Sequence, residues 1–141
     1  MFVLAKILGG RINVPEPHTI TVTALSAAIA AGTPVNIKAG VVTPLTASTA
    51  VIATHLVENA AASGATKITV SEILPGMVFE APLTAAIGSA KVFGEYTITA
   101  AGISATAAAP TAQSPTRGAI LYDPLGASAS GDKVLVTFPV A

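Results

Sequence analysis

Apolar residues in this chain recur at every second position in short runs, and glycine or proline cuts each run before it can lengthen. In Thr19-Ile20-Thr21-Val22-Thr23, Ile20 and Val22 share one face and the threonines the other. That period belongs to a half-buried strand and not to a helix. Val35–Lys38 and Val41–Leu45 flank Ala39-Gly40, which predicts a hairpin. Lys67–Ser71 alternates up to the break at Pro75-Gly76. Beyond it Met77, Phe79, Ala81 and Leu83 line one face, with Val78 and Glu80 on the other. Val92–Phe93, Glu95–Thr99, Ile103–Thr106, Gly118–Tyr122 and Asp132–Val140 continue the pattern, with Gly94 read as a bulge and 107–116 as a long loop. Residues 49–62 fit a helix capped by Thr49 or a strand; a strand over Val51–Val57 followed by an alanine-rich turn is preferred. The expectation is an all-β fold, a small β-sandwich or β-barrel-like body.

Residues 1–18 differ from the rest. Phe2, Val3, Leu4, Ile7 and Leu8 precede Pro15-Glu16-Pro17, which forces an extended exit. The segment is read as an extended N-terminal arm that packs on its own body or reaches a neighbour. Residues 19–141 are read as a single β-rich body, divisible into two small modules at 19–75 and 76–141. Phe2, Val3, Leu4, Ile7, Leu8 and Arg11 are the candidate assembly contacts.

Composition narrows the function. Hydrophobic residues make up 52% of the chain and charged ones 10%, but much of the apolar count is alanine, so Val, Leu, Ile and Phe must carry the core. Seven basic and seven acidic residues cancel, and the basic ones are scattered singly, so no footprint for nucleic acid exists. The opening stretch is interrupted by Lys6 and Gly9-Gly10 and is not read as a secretion signal. Ala24–Ala31, the nearest approach to a membrane span, is too short for one. With no cysteine, neither a disulfide nor a thiolate metal site can form.

Reactive groups are sparse. His18 and His55 sit in no nucleophile motif and are too few for a zinc site. Glu72 and Glu80 flank Pro75-Gly76 and could meet across a hairpin as a carboxylate pair; a solvated like-charge pair is the plainer expectation. Asp123 and Asp132 stand alone, and no glycine-rich phosphate loop is present. Aromatic residues are only 4% of the chain, which argues against a stacking platform. No enzymatic activity, metal or cofactor is expected.

PGMVFEAPLT at Pro75–Thr84, GEYTITAAGIS at Gly94–Ser104 and GDKVLVTFPV at Gly131–Val140 resemble the layout of the small decoration, or cement, proteins of tailed-phage capsids. ITVTALSAAIAAGTPVNIKAGVVTPL at Ile20–Leu45 is similar to the strand pairs that open many such proteins. The resemblance implies a virion structural protein on the outer capsid surface, made in the host cytoplasm. It would bridge subunits of the major capsid protein and act as a homo-oligomer, with a trimer favoured. It also gives the arm a role in contacting the shell. The alternatives are a phage tail or head-to-tail component, and a β-sandwich surface or carbohydrate-binding module.

Overall fold

Short β runs separated by turns leave each strand to find its partner at a distance, and here they assemble into two antiparallel sheets. The computed structural model describes residues 1–8, 15–46, 51–84, 95–99, 102–104, 119–126 and 129–139. Among them are eleven strands and no helix. The strands are β1 (Val3–Ile7), β2 (His18–Thr21), β3 (Pro34–Lys38), β4 (Val41–Pro44), β5 (His55–Val57) and β6 (Lys67–Glu72). After the turn at Pro75-Gly76 come β7 (Met77–Pro82), β8 (Glu95–Thr99), β9 (Gly102–Ser104), β10 (Ala119–Asp123) and β11 (Lys133–Thr137). Residues 92–93, Gly94 and 107–116 lie outside the described residues.

A five-stranded sheet has the order β2-β6-β5-β3-β4. Its β3–β4 hairpin closes through Ala39 and Gly40 at φ of 51° and 78°. Positive φ at both central positions gives the turn the twist that the flanking strands need. Successive residues of β5 serve different cores: Val57 joins Val35, Ile68 and Val70 under Val22, Leu25 and Ile29, whereas Leu56 points toward the other sheet. The segment carrying Leu25 and Ile29 lies over the first face and is held by paired hydrogen bonds between Ile29 and Ala61. On the opposite face Thr19 and Thr69 join hydroxyls at 3.0 Å across β2 and β6.

The expected strand over Val51–Val57 is shorter than its alternation suggests. Asn36 Nδ2 donates to the Ile52 carbonyl, and the Thr54 hydroxyl accepts the Ile37 N–H at 3.0 Å. Backbone bonds from Thr54 to Val35 and from Ile73 to Thr54 continue the pairing one residue further, side chains take over at Ile52, and the regular strand is His55–Val57.

The second sheet runs β1-β7-β11-β10-β8-β9. Met77, Phe79, Ala81 and Leu83 of the β7 region, Leu121 of β10, and Val134, Val136 and Phe138 at the end of the chain fill its inner face. Leu45, Ala53, Leu56 and Ile73 meet them from the five-stranded side, so this is the core between the sheets. Each of the Val, Leu, Ile, Met and Phe side chains contributes about 1.5–3 kcal/mol when fully buried, and Ala53 and Ala81 less. The sheet curls without closing: β9 reaches back to β7 by one parallel bridge, Ile103 to Leu83, and the Thr84 N–H donates to the Ile103 carbonyl at 2.9 Å. Gly102 permits that approach, since a Cβ there would collide with the Pro82 carbonyl.

The turn at Pro75-Gly76 does not make a hairpin. It carries the chain from one sheet to the other, so Glu72 and Glu80 do not face each other. Glu72 lies opposite His55 in β5, and Glu80 forms an exposed ion pair with Lys133 at 3.2 Å.

Candidate functional site

The N-terminal arm is a strand of the second sheet. Val3 and Leu4 pair with Glu80 and Phe79, and Lys6 and Ile7 pair with Val78 and Met77, with a register shift between Leu4 and Lys6. Glycines receive both ends. The Phe2 N–H donates to the Gly32 carbonyl at 3.0 Å, and the Leu8 N–H to the Gly76 carbonyl at 2.7 Å. Gly32 and Gly76 adopt φ of 78° and 85°, where other residues are strained. A Cβ on Gly32 would also overlap Met1, and one on Gly76 would lie 3.3 Å from the Leu8 carbonyl oxygen.

The arm residues singled out in the sequence divide by environment. Phe2 is 1% exposed, its ring 5.4 Å from that of Phe138, which in turn meets Phe79 edge-on at 5.2 Å. Leu4 and Ile7 pack against the same core. Inside a single chain Phe2 is therefore a core anchor and not an open contact, because its ring already fills the space between the sheets. Val3 remains 48% exposed and Leu8 37%. Lys6 points to the other face of the sheet, its Nζ 5.0 Å from the centre of the Tyr122 ring. Arg11 lies outside the described residues.

Beside β1 the space between the sheets opens as a cleft of about 370 Å³. Phe2, Leu4, Leu56, Met77 and Phe79 give it an apolar wall, and Pro15 and Pro17 stand at its margin. The acidic residues along it are Glu58 and Glu72, and the Glu72 side chain shares the face of Val70 and lies by His55. Glu58 accepts a hydrogen bond from the Ser71 hydroxyl. The alternation in β5 is what brings a carboxylate here: Glu58 has the parity of Leu56, so it lies on the face that turns toward the other sheet. That parity was the available signal for Glu58, a charge in phase with a core position.

His18 and His55 do not assemble a catalytic or metal constellation. No cluster of three or more His, Asp or Glu side chains suited to a metal occurs among the described residues. His18 Nδ1 lies 3.3 Å from the Glu16 carbonyl at the start of the edge strand β2. His55 is half-buried with Nδ1 2.8 Å from the Thr54 hydroxyl. Burial pushes its pKa below the ordinary 6.5; the charge of Glu72 pulls the other way, and His18 adds to the lowering. The Thr54 hydroxyl is already bound into the β3–β5 junction through the Ile37 N–H. Asp123 and Asp132 serve turns, accepting the N–H groups of Leu125 and Ala129 at 2.9 and 3.0 Å.

The site therefore offers a strand edge, an apolar wall and the Glu58 carboxylate. These are features that can hold an extended chain. Comparison with protein-family models and with curated proteins finds no match to this chain.

Proposed function

We propose that this chain is a virion structural protein of the capsid-decoration type. On this reading it binds the outside of an assembled phage head, ties neighbouring subunits of the major capsid protein together, and acts as a homo-oligomer, with a trimer favoured. The observation that carries the reading is the arm: residues 3–7 form an edge strand of the second sheet beside an apolar cleft. Strand edges and apolar grooves are how all-β proteins hold other chains without chemistry. The resemblance of residues 75–84, 94–104 and 131–140 to decoration proteins supplies the class of partner.

The experiment is to mix the purified protein with expanded phage heads that lack a decoration layer. Saturable binding on the outer surface, seen by electron microscopy and matched by a raised threshold for head disruption, is the expected result. No saturable binding to heads, or binding to tails or to the head-to-tail junction in their place, overturns it. A mass measurement in solution tests the oligomer separately, with three copies expected.

A further inference from the structure

The five-stranded sheet changes its bonding where β5 begins. His55 pairs with Val35 of β3 as a regular ladder position, and the Thr54 N–H donates to the Val35 carbonyl at 2.9 Å. The next N–H of β3 on that side, from Ile37, donates to the Thr54 hydroxyl at 3.0 Å. The same hydroxyl oxygen lies 2.8 Å from His55 Nδ1 and 3.4 Å from the Val35 carbonyl oxygen. One side chain thus meets a backbone donor, a backbone acceptor and a ring nitrogen that takes either role.

A hydroxyl carries one proton and two lone pairs. Toward Ile37 it must accept, so its proton goes either to His55 Nδ1 or to the Val35 carbonyl, which is more distant and already holds the Thr54 N–H. With the ring neutral, donation to Nδ1 makes the shorter bond and leaves the ring's own proton on Nε2. A proton arriving from solvent then adds at Nδ1, which turns from acceptor to donor. The hydroxyl proton must swing to Val35, and its oxygen accepts from Ile37 and His55 at once. Two donors, one of them charged, compete for that oxygen.

Few charges face the ring. Glu72 of β6 stands opposite His55, and His18 of β2, whose Nδ1 is met by the Glu16 carbonyl, lies one pair along beside Val70 on the same face. Lys38, Glu58 and Lys67 have the opposite parity on their strands, β4 carries no charge, and the segment over this face supplies Val22, Leu25 and Ile29. Burial delays protonation of His55, while Glu72 favours it and His18 opposes it.

We propose that Thr54 and His55 form a proton-operated joint in the five-stranded sheet: neutral His55 takes the hydroxyl proton and leaves the oxygen to Ile37, whereas protonated His55 reverses the hydroxyl toward Val35 and slackens its hold on β3. The effect stays on one side of β3, because the pairing of β3 with β4 uses neither residue. Nothing in the joint depends on the arm, on an oligomer or on a phage head.

The test uses the full-length protein, labelled with nitrogen-15, and follows ring nitrogens and backbone amides from about pH 8 to about pH 4.5. At the upper end His55 should be the Nε2–H tautomer. As the ring titrates, the Ile37 amide resonance should move with the same midpoint. Exchange of that amide, corrected for its intrinsic rate, should rise about fivefold to tenfold, the scale of one weakened hydrogen bond. Thr54→Val should leave the ring titrating but uncouple Ile37 from it, and Thr54→Ser should restore the coupling. Glu72→Gln should lower both midpoints together, since the Glu72 charge favours the imidazolium. An Nδ1–H tautomer at the upper end overturns the proposal, as does an Ile37 amide that ignores the ring's titration or follows it equally in Thr54→Val. So does an Ile37 midpoint that stays put when Glu72→Gln moves the ring's. The tautomer and the shared midpoint are read on the unsubstituted protein, so a variant that fails to fold does not shield the joint from refutation.

Discussion

The two sheets are assembled from the chain in opposite ways. The five-stranded sheet draws on one continuous stretch, β2 to β6, and carries a core of its own under Val22, Leu25 and Ile29. The second sheet sets β7 between β1, from the start of the chain, and β11, from near its end. Its core is the shared one, and Phe2 is among the anchors. A sheet made of local partners meets less chain-entropy cost before its contacts form than one made of remote partners. The first sheet should accordingly open late and by itself, and the second should open from its β1 edge.

The strongest way to break this contrast is Phe2→Ala. Removing a fully buried ring costs about 3–5 kcal/mol, a large share of the 5–15 kcal/mol typical of a whole domain. Hydrogen exchange should show β1 and β7 losing protection while Val35, Val57 and Val70 keep theirs. Uniform loss across both sheets would mean that they are one cooperative unit. Next in size is Gly76→Ala, which forces a side chain into a left-handed conformation beside the Leu8 carbonyl. The expected loss is about 1–2 kcal/mol by denaturant titration, with the Leu8 amide exposed first.

Ala39→Asn works on the other sheet and in the other direction. Asparagine before glycine suits the turn that Ala39 occupies at φ 51°, so a gain of about 0.5–1 kcal/mol is expected with β1 protection unchanged. The smallest effect belongs to His55. Its folded pKa lies below the unfolded value, so the unfolded chain binds the proton first and stability falls as pH drops below about 6.5, levelling off once the folded state is protonated too. His55→Gln should flatten that slope, as read from midpoints of unfolding between pH 7.5 and 5.

Much of the strand content was legible because Ile, Val and Thr alternate without interruption. The Ala39-Gly40 hairpin, Lys67–Ser71, the face of Met77, Phe79, Ala81 and Leu83, and the face of Val134, Val136 and Phe138 all stand where the period places them. Pairing between remote strands was not legible, since period two says which face is buried and not against what. Pro75-Gly76 shows the limit: the same two residues can close a hairpin or, as here, pass the chain between sheets. The arm hid its strand for a different reason. Phe2 and Leu4 are in phase, but the register shift before Lys6 moves the inward position to Ile7, so no single alternation runs through it. Of the cleft, the arm's apolar residues were visible, whereas Glu58 was not singled out because its neighbours across the cleft come from remote strands.

The pairing of β1 with β7 also sets an order of events during synthesis. Residues 3–7 leave the ribosome with no strand partner until residues 77–80 have been made, several seconds later at roughly 5–20 residues per second. By the end of that interval the five-stranded sheet has all of its strands, while Leu4 and Ile7 still lack β7. In the finished fold β1 on one side and β11 on the other leave β7 no free edge. Residues 3–7 are thus made before the five-stranded sheet and seated after it, and their seating is what closes that side of β7.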